Sequence, residues 1–188
     1  MLKYAKEFKK YILITGFKNV KIRDKEKFLK AVQKAKTSKV EAQFFDAKTI
    51  ATWQHLYFAA LNALKAFKNK TNISRNLAME TMLYASAQRQ IKKAMNVFGV
   101  KPGSSEIAVL VIGEKPEEVN SALANIQRIV NVKNDDETLE FSEEKMALAK
   151  KNFEISDEEI KAVMRKGDLK KALVDLVIER VALLATKR

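Results

Sequence analysis

A group of cations is the strongest candidate for a functional site in this 188-residue chain. Arg89, Lys92 and Lys93 stand three and four positions apart, and Asn96 follows three positions after Lys93. A helix would place all four on one face, because residues three and four apart are neighbours on a helix surface. Cations without an intervening acid can contact successive phosphates of a nucleic acid, although a charged outer face is also ordinary for an amphipathic helix. The predicted phosphate-contacting set is Arg89, Lys92, Lys93, Arg75 and Lys65.

Aromatic side chains supply the second half of a nucleic-acid interface, because bases stack on them. Tyr84 and Tyr57 are the candidates for stacking. His55, the only histidine, lies beside an apolar helix face that contains Leu56. A hydrogen-bonded, buried or half-buried ring is the ordinary interpretation of such a histidine, and a contact from His55 to RNA is the alternative.

Catalytic and metal chemistry have little support in the sequence. The chain has no cysteine, which excludes thiolate zinc sites and cysteine nucleophiles, and one histidine cannot form a two-histidine metal motif. Carboxylate pairs such as Glu117 and Glu118 stand at predicted helix starts, where they complement the helix dipole. We therefore predict a non-enzymatic protein without metal or cofactor; a small enzyme would need His55 or a carboxylate poised in a pocket.

The net charge of +13 is concentrated in one half of the chain. Residues 1–100 contain 21 Lys and Arg against 6 Asp and Glu, a net charge of +15, whereas residues 101–188 carry −2. Between Ala51 and Val100 the only carboxylate is Glu80. This asymmetry favours a contact between the N-terminal half and a polyanion; the alternative is that the lysines only solvate the surface.

The elements that would position these residues form an α/β or α+β fold, a small sheet packed by several helices. Three apolar, β-branched stretches predict strands, and apolar residues at helical spacing with capping residues predict the helices. The predicted strands are Tyr11–Phe17, Val40–Phe45 and Glu106–Gly113. Five helices are predicted in this part: one capped by Asp24, one from Thr52 to Phe67, one with Ser74 as its N-cap, one from Gln88 to Phe98, and one from Pro116 to Val130. In the helix from Gln88 to Phe98, Ile91 is predicted to be buried. Gly99 is predicted to form a left-handed cap at the end of that helix.

We interpret residues 1–188 as a single domain with a helical C-terminal third. Residues 1–130 form the α/β part, residues 131–141 a polar linker or loop, and residues 142–188 a helical extension. Ser142 starts one helix, a capping box at Ser156 starts a second that Gly167 ends, and Asp168 caps the last.

The last helix is apolar nearly all round, which indicates burial on more than one side. It is either a core helix or a helix covered by a partner chain. The candidate partner contacts are Val174, Ile178 and Val181.

No apolar run approaches the roughly 18 residues that a membrane-spanning helix needs. The lysines before Tyr11 faintly resemble the start of a signal peptide, but a first strand explains the segment better. We expect a cytoplasmic protein.

Several segments, in this order and spacing, resemble one family. They are Gln43-Phe44-Phe45-Asp46-Ala47, His55-Leu56, Ala59-Ala60-Leu61-Asn62-Ala63, Asn72-Ile73-Ser74, Glu80-Thr81-Met82-Leu83-Tyr84-Ala85-Ser86, Arg89-Gln90-Ile91, Phe98-Gly99-Val100 and the closing Glu179-Arg180-Val181-Ala182-Leu183-Leu184. Together they resemble the small non-catalytic subunit of the KEOPS tRNA-modification complex, the family of the PRPK-binding protein TPRKB, with most similarity to an archaeal member. The likeness is strongest over residues 40–113 and at the last helix.

The resemblance implies an accessory subunit that binds and regulates the small atypical kinase/ATPase of the complex. It also implies recruitment of tRNA by the single-stranded CCA acceptor end, for threonylcarbamoyladenosine formation catalysed by another subunit. The alternative is a stand-alone basic RNA- or DNA-binding regulatory protein without a kinase partner.

Overall fold

A four-stranded sheet lies at the centre of the computed structural model, which describes residues 1–35 and 40–186. The strands are β1 (Leu2–Ala5), β2 (Lys10–Phe17), β3 (Val40–Asp46) and β4 (Ile107–Gly113), in the spatial order β1-β2-β4-β3. All neighbouring strands are antiparallel, so the sheet is of the α+β kind. The three predicted strands are confirmed, each within one residue at its ends.

Strand β1 was not predicted from the sequence. Its first three residues are exposed and only Ala5 is buried, so it has no alternating apolar pattern. Pairing with β2 defines it as a strand, with Lys3 opposite Ile12 and Tyr4 opposite Tyr11.

Alternate residues of the sheet enter two different cores, because successive side chains of a strand point to opposite faces. Ile12 and Leu110 belong to the core shared with α2 (Trp53–Lys68), α3 (Leu77–Ala85) and α8 (Leu169–Leu183). On the other face, Leu13 and Val111 pack with α5 (Pro116–Val130), next to which lies α1 (Lys25–Ala35). Every residue of β4 is buried, which confirms that this strand is covered on both faces.

Three further helices complete the fold: α4 (Ile91–Phe98), α6 (Glu143–Asn152) and α7 (Asp157–Val163). The predicted caps at Asp24, Ser142 and Asp168 are confirmed by hydrogen bonds that these side chains accept from backbone N–H groups three residues ahead. The capping box between Ser156 and Glu159 is also present.

Three residues predicted to cap or end helices do not act as predicted. Asn76, not Ser74, caps α3, and the Ser74 hydroxyl instead accepts a hydrogen bond from the Asn76 N–H at 3.2 Å. Helix α7 ends at Val163, and Gly167, with φ of +73°, lies in the turn that leads to α8. Gly99 has φ of −72° and ψ of 153°, so no left-handed cap forms there.

The polar segment 131–141 is a packed loop rather than a free linker. The Asp135 N–H donates to the Gly16 carbonyl at 2.8 Å, and the Thr15 hydroxyl donates to Asp136 at 2.5 Å. A Cβ on residue 16 would lie 2.5 Å from the Thr138 Cβ, so glycine allows this approach. The helices after this loop join the core beneath the sheet through residues such as Leu173 and Val177.

Candidate functional site

The exposed cations of α4 lie on a short helix that is anchored by two residues. Ala94 and Phe98 are buried in the core, whereas Lys92, Lys93 and Asn96 are exposed on the outside. Helix α4 begins at Ile91, not at Gln88, so the exposed Arg89 precedes the first turn. We call Lys92, Lys93 and Asn96, together with Arg89, the α4 surface.

The prediction that Ile91 is buried was wrong. Ile91 is the first residue of α4 and is 45% exposed, while the core contacts are made one and two turns later by Ala94 and Phe98. The α4 surface therefore combines cations with exposed apolar area, to which Val97, 38% exposed, also contributes. Such a mixed surface can contact both phosphates and bases.

The loop before α3 presents Arg75 to solvent and is held by Glu80. The Ile73 N–H donates to both Glu80 carboxylate oxygens at 3.1 and 3.0 Å, and the Ser74 N–H donates to one of them at 2.6 Å. Glu80 is completely buried. The Asn72 side chain closes the loop by donating to the Ser74 carbonyl at 2.9 Å. This arrangement fixes the backbone from which Arg75 projects.

Sequence reasoning did not find this role for Glu80. The available signal was its position as the only carboxylate in a 50-residue basic stretch, 51–100. A lone acid there is either a surface charge or a group that satisfies backbone donors, and only the folded loop distinguishes the two.

Tyr84 lies one helical turn after Glu80 and is only 5% exposed. Burial, together with the nearby Glu80 carboxylate, raises the pKa of the Tyr84 phenol, and the positive charge of Arg89 opposes that rise. The structure therefore brings Tyr84 and Arg89 together. With its ring covered, Tyr84 offers no face on which a base could stack.

His55 lies inside the core, as its ordinary interpretation requires. The Ala51 N–H donates to Nδ1 at 3.3 Å and Nε2 lies 2.7 Å from the Ala85 carbonyl, so the proton is assigned to Nε2. The rings of Phe98 and Phe153 meet the imidazole edge to face. A contact between His55 and RNA would need an exposed ring, which this structure does not provide.

Lys65 was predicted to contact phosphates together with the cations of α4. It lies on α2 and lines a cleft together with Tyr57 and residues of the N-terminal segment. Tyr57 is half-buried, so the cleft contains one of the two tyrosines that were predicted to stack on bases.

Helix α8 has a buried face and a partly exposed face. Val181 is completely buried among core residues and so offers no contact to a partner. Val174 and Ile178, one turn apart, are half-buried, and the exposed Leu169 and Leu183 lie at the two ends of the helix. We call the strip formed by Val174 and Ile178 the α8 strip; Leu183 lies on the opposite side of the helix from Val174 and does not belong to it.

The part of the chain that the structure describes contains no group of three side chains able to hold a metal ion. Among the same residues, no helix has the length and apolar character needed to cross a membrane.

The fold and these surfaces define a small α+β binding protein with a basic surface near α3 and α4 and an apolar strip on α8. Residues 17–185 match the family model described as Kinase binding protein CGI-121, and the chain belongs to this family. It is 30% identical over 146 residues to Regulatory protein Cgi121 of Methanocaldococcus jannaschii, an alignment that covers 78% of this chain and 84% of that relative. The family that the sequence motifs indicated is thereby confirmed.

Proposed function

We propose that this chain is a regulatory subunit of the KEOPS complex that binds the small atypical kinase of the complex and recruits tRNA by its single-stranded CCA end. The observation that carries the kinase part is the family match over residues 17–185. The tRNA part is supported by the charge of the N-terminal half and by the exposed cations around α3 and α4.

The RNA surface that we propose consists of the α4 surface and Arg75. Arg75 stands at the end of a loop fixed by Glu80, so its backbone is already ordered before RNA binds. Preordered cations lose less conformational entropy on binding than mobile ones do. Because the Glu80 carboxylate is buried, no acid between Ala51 and Val100 faces the RNA.

Reversing two charges of the α4 surface is expected to weaken tRNA binding about tenfold or more at about 150 mM salt. The variant is Lys92→Glu with Lys93→Glu, because both side chains are exposed, whereas Arg89 acts on the buried Tyr84. Each lost phosphate contact should also reduce the salt dependence of log Kd by about 0.7 per decade for a single strand. Gel shifts with tRNA across a salt series measure both effects.

The matched control is Lys115→Glu with Lys133→Glu, which changes the net charge equally at exposed positions before and after α5. This control should bind tRNA as the unaltered protein does. tRNA lacking its CCA end should bind more weakly than intact tRNA, and equal binding would contradict recruitment by that end. Unchanged affinity of the Lys92/Lys93 variant would remove the α4 surface from the proposal.

The kinase-binding face that we propose is the α8 strip. Introducing a charge with Val174→Asp or Ile178→Asp should reduce recovery of the kinase in pull-down at least about tenfold, because a charge buried in an apolar interface is left unpaired. Both side chains are half-buried, so Val174→Lys and Ile178→Lys, whose long side chains can extend to solvent, serve as second variants if an aspartate disturbs the core. Circular dichroism melting verifies folding.

The control for this experiment is Val97→Asp on α4, which should retain the kinase. The Lys92/Lys93 variant should likewise keep kinase binding while losing tRNA. If purification from the native source yields no stoichiometric kinase, the stand-alone nucleic-acid-binding alternative replaces the proposal.

A further inference from the structure

A cleft of about 300 Å³ lies between the N-terminal segment and helix α2. Tyr4 and Phe8 line it from the N-terminal side, and Tyr57, Leu61 and Lys65 line it from α2. Its volume is at the small end of the range for ligand sites, so the cleft can hold one small molecule.

The aromatic walls of this cleft are held in place before any ligand arrives. The ring of Tyr4 packs on Tyr11 with centroids 4.7 Å apart, and the ring of Tyr57 contacts Trp53 at 6.1 Å and Phe58 at 6.0 Å. Tyr4 nevertheless remains 50% exposed. Fixed, accessible aromatic surfaces favour stacking of a planar heterocycle.

The charge at the cleft selects an anion. Lys6 and Lys65 both line it, and within the described part of the chain neither forms an ion pair. The acid of the lining, Glu7, is paired with Lys68 at 3.2 Å, and that same ammonium lies 5.7 Å from the centre of the Phe8 ring. The cleft thus combines an apolar aromatic interior with two cations that are free to meet a negative group.

We propose that this cleft is a binding site for a nucleoside phosphate. The base stacks on Tyr4 or Tyr57, and the phosphate meets Lys6 and Lys65. Asn62 also lines the cleft; its Nδ2 donates to the Phe58 carbonyl at 2.9 Å, and its Oδ1 accepts a hydrogen bond from the base edge. The same chemistry has two sources, a free nucleotide and the unpaired terminal nucleotide of an RNA. Only the second source rests on the proposed function.

Titration with adenosine monophosphate tests the site, with fluorescence of Trp53 as the readout. Trp53 is the only tryptophan, and its ring contacts the cleft residue Tyr57. We expect saturable quenching with a Kd below about 1 mM, and binding of adenosine or inorganic phosphate at least about tenfold weaker. The tetranucleotide ACCA distinguishes the sources: binding much tighter than that of the mononucleotide assigns the cleft to an RNA end, and equal binding assigns it to a free nucleotide.

Lys65→Glu should weaken binding of the mononucleotide about tenfold, because it replaces a phosphate contact by repulsion. Lys115→Glu at the start of α5 makes the same charge change at an exposed position outside the cleft and should leave this binding unchanged. Absence of saturable quenching by both probes, or equal affinity of the Lys65→Glu variant, would overturn the site. If the tRNA gel shifts contradict the proposed function while the mononucleotide still binds, only the proposed function is overturned. If the gel shifts support the proposed function but the mononucleotide does not bind, only the cleft site is overturned.

Discussion

Acidification from neutral pH to about pH 4.5 is expected to lower the free energy of unfolding by roughly 2 to 3 kcal/mol through a single side chain, His55. Burial lowers the pKa of His55 from 6.5 to about 4, and the positive charge of Lys145 acts in the same direction against the opposing hydrogen bond to Ala85. The imidazole accepts from the Ala51 N–H at Nδ1, so protonation would place two donors face to face.

The sign follows from which state binds the proton. Above about pH 6.5 the ring is neutral in both states, and the contribution of His55 to stability is fully present. As the pH falls from 6.5 towards 4, His55 binds a proton in the unfolded chain but stays neutral in the folded chain, so the free energy of unfolding decreases. Urea unfolding at several pH values across this window measures the loss.

His55→Gln provides the control. It should be less stable at neutral pH, because an amide cannot fill the ring's place between Phe98 and Phe153, but its stability should be nearly flat across the same window. The chain has no other histidine, so no second imidazole titrates there. A parent protein whose stability does not change between pH 7 and about pH 5 would contradict a buried neutral His55.

Replacing Glu80 by alanine is expected to lower the free energy of unfolding by roughly 2 to 3 kcal/mol. The substitution removes the buried carboxylate that accepts hydrogen bonds from the N–H groups of Ile73 and Ser74. Both donors would then lack a partner inside the loop. Glu80→Gln should cost less, because the amide oxygen can still accept. Chemical denaturation compares the variants, and amide hydrogen exchange at Ile73 and Ser74 should accelerate in the alanine variant.

Glu117→Ala is the matched control, since Glu117 is an exposed acid in the first turn of α5 and should change stability by less than about 1 kcal/mol. In Glu80→Ala the backbone beneath Arg75 is also released, so tRNA affinity should fall although no RNA-contacting side chain is altered. If Glu80→Ala is as stable as the control and exchanges as slowly at Ile73 and Ser74, the carboxylate does not organise this loop.

The sequence predicted most of the fold because the elements have strong local signals. Strand β4 is a continuous apolar run, and the capping residues Asp24, Ser142 and Asp168 act on backbone groups three residues away. Such interactions depend on neighbours in the chain and can be recognised without tertiary contacts. The errors occurred at β1, which only its pairing with β2 defines, at the start of α4, and at the caps assigned to Ser74, Gly99 and Gly167.

The candidate site was less predictable than the fold. Charge counting and helical spacing indicated the α4 surface, and the structure leaves Lys92 and Lys93 exposed there. The spacing of residues along a helix predicts which side chains share a face, but it does not predict whether each side chain is exposed. The sequence could not show that the Tyr84 ring is covered, that Val181 is in the core, or that Lys65 lines a cleft with residues more than 50 positions away, such as Tyr4.

The sequence by itself determined the class of fold, the family, the basic character of residues 1–100 and the absence of cysteine chemistry, because composition and local periodicity carry that information. The tertiary structure decided which polar groups are buried and which surfaces are formed. In the folded chain, the Glu80 carboxylate accepts hydrogen bonds that hold the loop before Arg75. The pairing of β1 with β2 brings Tyr4 to the cleft that Tyr57 also lines. These outcomes depend on contacts between distant parts of the chain, which spacing along the sequence does not specify.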